Sequence, residues 1–326
     1  MTFITPELPL EAYRGKHILV TGSTGYLANS LIHLLKNVDC KITRVARSGK
    51  ILTLLEGQCK IFDIISDLTN PALWQQILPS IDLVFHFAGQ ANIVQANEAP
   101  AEDIQHSIIP LLQLLDGCRK MALKPHVVLA SSVSLYGYPN TPETDETYPD
   151  KPQSIYDLHK LHCEEYLRYF IKHHELTGCA LRLGNVYGPG VHTNQFYHGL
   201  INYAIYCGLQ HEPIPLHSDG ESSRDYLYLD DASRAFLAAG LLPQKVNDQT
   251  YIVSSGADYT TQVIIEKVKK ELQNSRGISL ETTKTEIEIA AQIRHFRGSY
   301  AKFYQATGWE PLTTVEQGIT QTIAAY

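Results

Sequence analysis

The chain has no Cys-x-x-Cys pair, no His-Glu-x-x-His motif, no long apolar run and no excess of basic charge. Each absence excludes something. Six cysteines, at 40, 59, 118, 163, 179 and 207, lack the paired spacing of a zinc ribbon or a thioredoxin-type site, and reduced thiols in a cytoplasm are the expectation. No apolar stretch approaches the roughly 18 residues of a membrane span. The opening MTFITPELPLEAYRGK has neither a basic start nor an apolar core, so no secretory leader is expected. With 27 Lys and Arg against 34 Asp and Glu, the net charge of -7 argues against a general nucleic-acid binder, which needs a basic face for phosphates. A locally basic pocket for a small anion is still compatible. Histidine is plentiful at 14; His159 and His162 share a helical face, yet no third ligand is spaced for a metal, and surface histidines are expected.

What is present is globular composition, 44% hydrophobic and 19% charged, over 326 residues. That length suits two units or one large one. Residues 1–14 read as an added segment. Short apolar strands then alternate with helical spacing: Lys16–Thr21, Lys41–Ala46, about Cys59–Phe62, Leu83–Ala88 and Val127–Ser131, with helices at Gly25–Leu35 and Ile108–Met121 between them. This alternation predicts a parallel α/β sheet of the doubly wound, Rossmann type. A proline-rich acidic loop, Asn140–Asp150, precedes a long helix, Ser154–His174, and a strand at Cys179–Leu183. The expected division is a dinucleotide-binding unit over 1–178, with a returning strand near 251–254, and a smaller α/β substrate lobe over 179–326.

Three signals carry chemistry. The first strand runs into Thr21-Gly22-Ser23-Thr24-Gly25-Tyr26-Leu27-Ala28. Glycine permits the tight turn and close approach to a pyrophosphate, and the next helix aims its N-terminal amides at the phosphates. The second strand ends Val45-Ala46-Arg47-Ser48, without the acid that grips the ribose hydroxyls of NAD. Arg47 and Ser48 suit a 2'-phosphate, so NADP is favoured over NAD. Third, Tyr156 and Lys160 lie four apart on one helical face, with Ser131-Ser132 ending the preceding strand. A phenol of ordinary pKa near 10 is a poor base at neutral pH. An ammonium about 4 Å from a phenolic oxygen favours the phenolate by roughly 4 kcal/mol at an effective dielectric of 20, worth about three pKa units.

Together these motifs resemble the extended branch of the short-chain dehydrogenase/reductase superfamily, the nucleotide-sugar epimerase and dehydratase group, from about Gly15 to Pro311. Thr21–Ala28 is similar to TGxxGxxG. Asp63-Ile64 is matched to the pair that contacts adenine, and His86-Phe87-Ala88-Gly89 to the loop beside the cofactor. Ser131–Gly137 resembles SSxxVYG, which makes Ser132 the catalytic hydroxyl, with Tyr156 the acid/base and Lys160 its partner. Arg182–Pro189 is similar to RxxNVYGP, implying that Asn185 meets substrate. Arg224–Asp231 is similar to RDxxYVDD, implying that Arg224 holds the nucleotide diphosphate. The resemblance thus implies a cofactor site of Gly22, Thr24, Gly25, Tyr26, Leu27, Arg47, Ser48, Asp63, Ile64, Phe87, Ala88, Gly89, Tyr156 and Lys160. It also implies a homodimer paired through the Tyr–Lys helix, while ligand spacing, net charge and the lack of an apolar run lead to the expectation of no metal and no nucleic-acid or membrane partner.

The chain departs from that group in places. Val133 and Ser134 stand where sugar dehydratases carry Asp-Glu, which argues against loss of water. Ser107 replaces an asparagine, His159 a serine, and Ser299 an acid near Arg294 and Arg297. Three functions follow as expectations. An epimerase would oxidise a sugar hydroxyl through Tyr156 and return the hydride to the other face. An NADPH-dependent ketoreductase of a 4-keto nucleotide sugar would use the same residues once. A cofactor-sensing protein without catalysis would have no need to keep Ser132, Tyr156 and Lys160 together.

Overall fold

A computed structural model describes residues 8–47, 57–190, 199–216, 221–284 and 295–326. Five apolar strands come first: β1 (His17–Thr21), β2 (Lys41–Ala46), β3 (Lys60–Ile65), β4 (Leu83–His86) and β5 (His126–Ser132). β6 (Thr177–Leu183) follows, then β7 (Asn185–Tyr187), β8 (Ile214–Leu216), β9 (Ser223–Tyr228), β10 (Gln249–Val253), β11 (Asp258–Thr260) and β12 (Thr282–Lys284). The helices are α1 (Tyr26–Leu35), α2 (Pro71–Ile77), α3 (Ile93–Glu98), α4 (Pro100–Lys120), α5 (Ile155–His174), α6 (Leu200–Gln210), α7 (Leu229–Leu241), α8 (Pro243–Val246), α9 (Thr261–Arg276), α10 (Ala301–Thr307) and α11 (Val315–Ala324).

Seven strands form one sheet in the order β10-β6-β5-β4-β1-β2-β3. Every neighbouring pair in it is parallel. The order 3-2-1-4-5-6, reversing at β1 and β4, is that of a Rossmann fold, and ligands bind outside the strand C-termini where the order reverses. Parallel strands are joined by crossovers that cover both faces, which is why β4 is buried throughout and β1 from Ile18 on. One face packs on α1 and α7 around Leu31, Ile32 and Phe236; the other packs on α2, α4 and α5 around Trp74, Leu111 and Leu167.

The smaller lobe holds the sheet β11-β9-β7 and the pair β12-β8, with α6, α9 and α11 packed around Ile205, Val268 and Ile319. The division expected at 178 falls inside β6, all of which belongs to the large sheet, so the seam comes after Leu183. α7 also returns to cover the large sheet. Of the segment 1–14, read from sequence as added, residues 1–7 lie outside the described residues, and the rest is tied in: Tyr13 is buried and its hydroxyl donates to the Leu237 carbonyl at 2.6 Å. No helix among the described residues is long and apolar enough to cross a membrane.

α5 has the limits its sequence predicts. The Ser154 hydroxyl accepts from the Asp157 N–H at its start, while Lys172, His173 and His174 favour the negative end of the dipole. α4 starts earlier than its leucines suggest, because Pro100 suits a first turn and Glu102 and Asp103 favour the positive end.

Candidate active site

The strand ends of β1, β2 and β4 open onto a cavity of about 430 Å³. Gly22, Thr24, Gly25, Tyr26 and Leu27 form one wall, and Phe87, Ala88 and Gly89 another. Gly22 has φ +65°, and a Cβ there would lie 2.7 Å from the Ala88 nitrogen, so no side chain fits. The Thr21 hydroxyl accepts from the Ala88 N–H at 3.3 Å, and the Ser23 hydroxyl donates to the Val45 carbonyl at 3.1 Å. The turn is thereby stitched to both flanking strands. α1 begins at the cavity, where its free N–H groups and positive dipole end favour an anion.

At the far end of the cavity Arg47, Asp67, Leu68 and His106 converge from the end of β2, the turn after β3 and α4. The Thr69 N–H, 2.8 Å from the Asp67 carboxylate, holds that group below its ordinary pKa, and Arg47 and His106 add to the effect. Asp63 and Ile64 are not at this wall. They lie within β3, and Asp63 takes a two-point ion pair from Arg44, Nε to Oδ1 at 2.6 Å and Nη2 to Oδ2 at 2.8 Å. The sequence reading ended β3 at Phe62; the strand runs on to Ile65, so Asp67-Leu68 are the acid–apolar pair beyond its end. Ser48 lies outside the described residues.

Beyond the cavity stand Tyr156 and Lys160 of α5. The Lys160 ammonium donates to the Ala130 carbonyl at 3.1 Å, and Ala130 is itself a cavity wall. A methyl group on Gly89 would lie 3.4 Å from the same ammonium. Lys160 Nζ is 5.8 Å from the centre of the Tyr156 ring. Tyr26 is close enough to Tyr156 that, after burial, its phenol is pushed up by that neighbour, and its hydroxyl donates to the Val186 carbonyl at 3.1 Å. His86 is buried at the end of β4, and burial, then the Lys160 charge, pushes its pKa down to about 3. It is therefore neutral and adds no positive charge beside Lys160.

Ser132 ends β5, against which α5 packs. Its hydroxyl accepts from the Ser134 N–H at 3.1 Å and lies 2.8 Å from the Ser134 hydroxyl. Val133 is buried. The two positions that follow Ser132 thus hold an aliphatic side chain and a hydroxyl, neither able to act as a carboxylic acid.

Glu164 and Asp103, which help to hold α5 in place, carry no signal in the sequence. Buried Glu164 accepts from the Ser131 hydroxyl at 2.5 Å and from Arg182 at 2.9 and 2.7 Å; Arg182 also reaches Asp150 and lies 4.8 Å from the Tyr136 ring centre. His159, expected at the surface, is buried, with Nδ1 2.5 Å from Asp103 Oδ2 on α4. Ser107, where the resemblance has asparagine, accepts from the Gln90 N–H at 3.1 Å. None of these pairings has a local signal, because each partner lies on another element.

Asn185 and Arg224 stand on the second sheet and do not line the cavity. The Asn185 amide donates to the Asp225 carbonyl at 3.1 Å, and Arg224 lies beside the Tyr226 hydroxyl. Arg294 lies outside the described residues; Arg297 Nε is 3.8 Å from Glu143. Among the described residues, no group of three or more His, Cys, Asp or Glu is arranged to hold a metal.

The family model described as "NAD dependent epimerase/dehydratase family" matches residues 18–254. The chain belongs to the NAD-dependent epimerase/dehydratase family. Its similarities within the family cross activities. It is 25% identical over 311 residues to a putative UDP-glucose 4-epimerase of Methanocaldococcus jannaschii, covering 94% of this chain and 97% of that one. It is 26% identical over 333 residues to a dTDP-glucose 4,6-dehydratase of Xanthomonas campestris pv. campestris, covering 94% and 92%. Among solved structures it resembles a UDP-glucose 4-epimerase with UDP-glucose from Thermotoga maritima, at a TM-score of 0.84, 25% identity and coverage of 95% and 98%.

Proposed function

We propose that the chain is an NAD(P)-dependent epimerase of a nucleotide-activated sugar. The observation that carries this is the Lys160 ammonium held at the wall of the dinucleotide cavity, beside Tyr156, with Val133 and Ser134 after Ser132 in place of an acid pair. The cavity fits a dinucleotide: a turn at Gly22 that a Cβ would fill, the start of α1 for the pyrophosphate, and Arg47 with Asp67 and Leu68 for the adenosine end. A bound nicotinamide would supply the hydride acceptor and donor.

The chain's own groups then do the rest. Tyr156 takes the proton of the sugar hydroxyl as that carbon is oxidised, and gives it back when the ketone is reduced from the other side. Lys160 stabilises the phenolate by its charge and is kept in place by the Ala130 carbonyl. Ser132 hydrogen-bonds the reacting oxygen. On the second sheet, Asn185 is assigned to the substrate and Arg224 to its nucleotide diphosphate. A net redox change of zero suits a cofactor that stays bound. A homodimer paired through α5 is part of this reading, supported by the exposed Tyr166 and Tyr169 on that helix.

One observation favours a second reading. Arg47 lines the cavity and no carboxylate stands in Val45–Arg47, which suits NADP and hence an NADPH-dependent ketoreductase. Denaturing freshly purified, gel-filtered protein and identifying the released cofactor separates the two. About one NAD or NADP per chain supports the epimerase. An empty protein that binds added NADPH reversibly supports the reductase. For either enzyme Tyr156→Phe is expected to lower turnover about 100- to 10,000-fold while cofactor binding persists. An unchanged rate rejects the assignment of Tyr156.

A further inference from the structure

Two of the six cysteines, 19 positions apart, meet at the edge of the large sheet. Cys40 and Cys59 immediately precede β2 and β3, whose parallel register pairs Lys41 with Lys60. The ladder continues one step outward, since the Lys60 N–H donates to the Cys40 carbonyl at 2.9 Å. The two side chains therefore stand side by side on one face, with their sulfur atoms 3.5 Å apart. Neighbouring strands lie about 4.8 Å apart, and disulfides bridge Cα separations of roughly 4.4–6.8 Å with an S–S bond near 2.05 Å. Side-chain rotation alone can close the remaining gap of about 1.5 Å.

The chemistry favours this pair over the other thiols. Cys118 and Cys163 are buried, and burial pushes both up to about 12, away from the reactive thiolate. The hydrogen bond between the two sulfurs holds Cys40 below its ordinary range and Cys59 well above it, so the first thiolate of the pair is that of Cys40 and the shared proton rests on Cys59. Cys40 is almost fully buried whereas Cys59 is part-exposed, so an oxidant can enter at Cys59 with Cys40 behind it.

We propose that Cys40 and Cys59 form a reversible intramolecular disulfide that clips edge strand β3 to β2, made by a small disulfide such as glutathione disulfide and opened by free thiols. As the Cys59 sulfur attacks glutathione disulfide, its proton passes to the hydrogen-bonded Cys40 thiolate; a mixed disulfide forms, and one glutathione thiolate leaves and takes that proton from Cys40. The Cys40 thiolate then attacks the Cys59 sulfur and expels the second glutathione. Two protein thiols are oxidised by two electrons, one glutathione disulfide is reduced to two thiols, and the two protons go with them. The clip lies at the N-terminal ends of the strands, opposite the cavity at their C-terminal ends. β3 is the strand that gains, being the last in the sheet and mostly exposed. The covalent ring runs through β2 and Arg47, so it also restrains the unfolded chain.

The test uses the full chain with glutathione disulfide, alkylation under denaturing conditions, intact mass and peptide mapping. The expected result is loss of two of the six alkylatable thiols and one cross-linked peptide joining Cys40 to Cys59, reversed by dithiothreitol. Hydrogen exchange of β3 amides slows and the melting temperature rises in the oxidised form. Cys59→Ala, at the part-exposed position, is expected to give no intramolecular cross-link and no such slowing. Six thiols still alkylatable after oxidant treatment, a different pairing, or cross-links only between chains would each overturn the proposal.

Discussion

The two sheets hold their sites in different ways. The glycine-turn wall of the cavity of the large sheet is built of main chain and small residues, with Gly22 and Gly25 in the turn, Ala28 in the first turn of α1 and Ala88 and Gly89 opposite. The smaller lobe is held by buried polar side chains that reach between distant segments. Asp225 accepts from the Ser255 N–H and hydroxyl, the Gly256 N–H and the Gly298 N–H, the last 73 residues away. The Asn202 side chain holds both the N–H and the carbonyl of Gly188, and the Tyr187 hydroxyl donates to the Val315 carbonyl. A backbone cradle tolerates little added volume but loses no buried polar partner when altered. A side-chain hub loses all its partners at once.

The comparison can be broken most sharply at Asp225. Asp225→Ala takes the acceptor from one buried donor, the Gly298 N–H, and from three part-buried ones, at about 1–3 kcal/mol for a buried donor, with the sum less than additive. The expected loss is several kcal/mol, with the smaller lobe unfolding at lower urea than the large sheet by residue-resolved hydrogen exchange. A single, unshifted transition would contradict the hub.

Acid sharpens the same contrast. Burial pushes Asp225 up to about 6, so the stability it contributes is present below about pH 4 and is lost as pH rises through 6. Burial pushes His86 down to about 3 and His126 to about 4, so their contribution is present above about 6.5 and is lost as pH falls through those values. Between about pH 4 and 6 the lobe and the sheet therefore oppose each other. Urea midpoints across that range should rise with pH in the wild type, and less steeply in His86→Asn. Parallel slopes for the two proteins would remove His86 from the account.

Gly22→Ala sets a Cβ 2.7 Å from the Ala88 nitrogen at a φ that only glycine takes readily. We expect a loss of about 1–3 kcal/mol in stability and at least a tenfold weaker cofactor, read by titration of nicotinamide fluorescence. Retained affinity would mean that the cradle yields. The smallest effect is expected for Arg47→Ala, about tenfold on NADP affinity and little on NAD. Equal losses for both would remove the 2'-phosphate from the argument.

Legibility in the sequence follows the same division. The turn after β1, the strands β1, β2, β4 and β5 and the spacing of Tyr156 and Lys160 on α5 are written in nearly consecutive residues, and the structure has them there. Asp63-Ile64, which the resemblance matches to adenine, lie within β3 and off the cavity; β3, an exposed edge strand, alternates weakly, and its end is not legible from hydropathy. His159 was taken for a surface residue because its partner Asp103 sits on another helix. The seam at Leu183 was set early because β6 belongs to a sheet whose other strands come from both sides of it in sequence.

By itself, the sequence determined the doubly wound fold, the glycine turn after β1 and the absence of an acid pair after Ser132. These depend on periodicity, turn chemistry and residue identity, which act over a few residues. Tertiary structure alone decided the Asp225 hub, the His159–Asp103 and Glu164–Arg182 pairs behind the Tyr–Lys helix, and the meeting of Cys40 with Cys59. The reason is physical: strand register and helix packing bring together groups tens of residues apart, and a buried polar group is stable only where that packing delivers its partner.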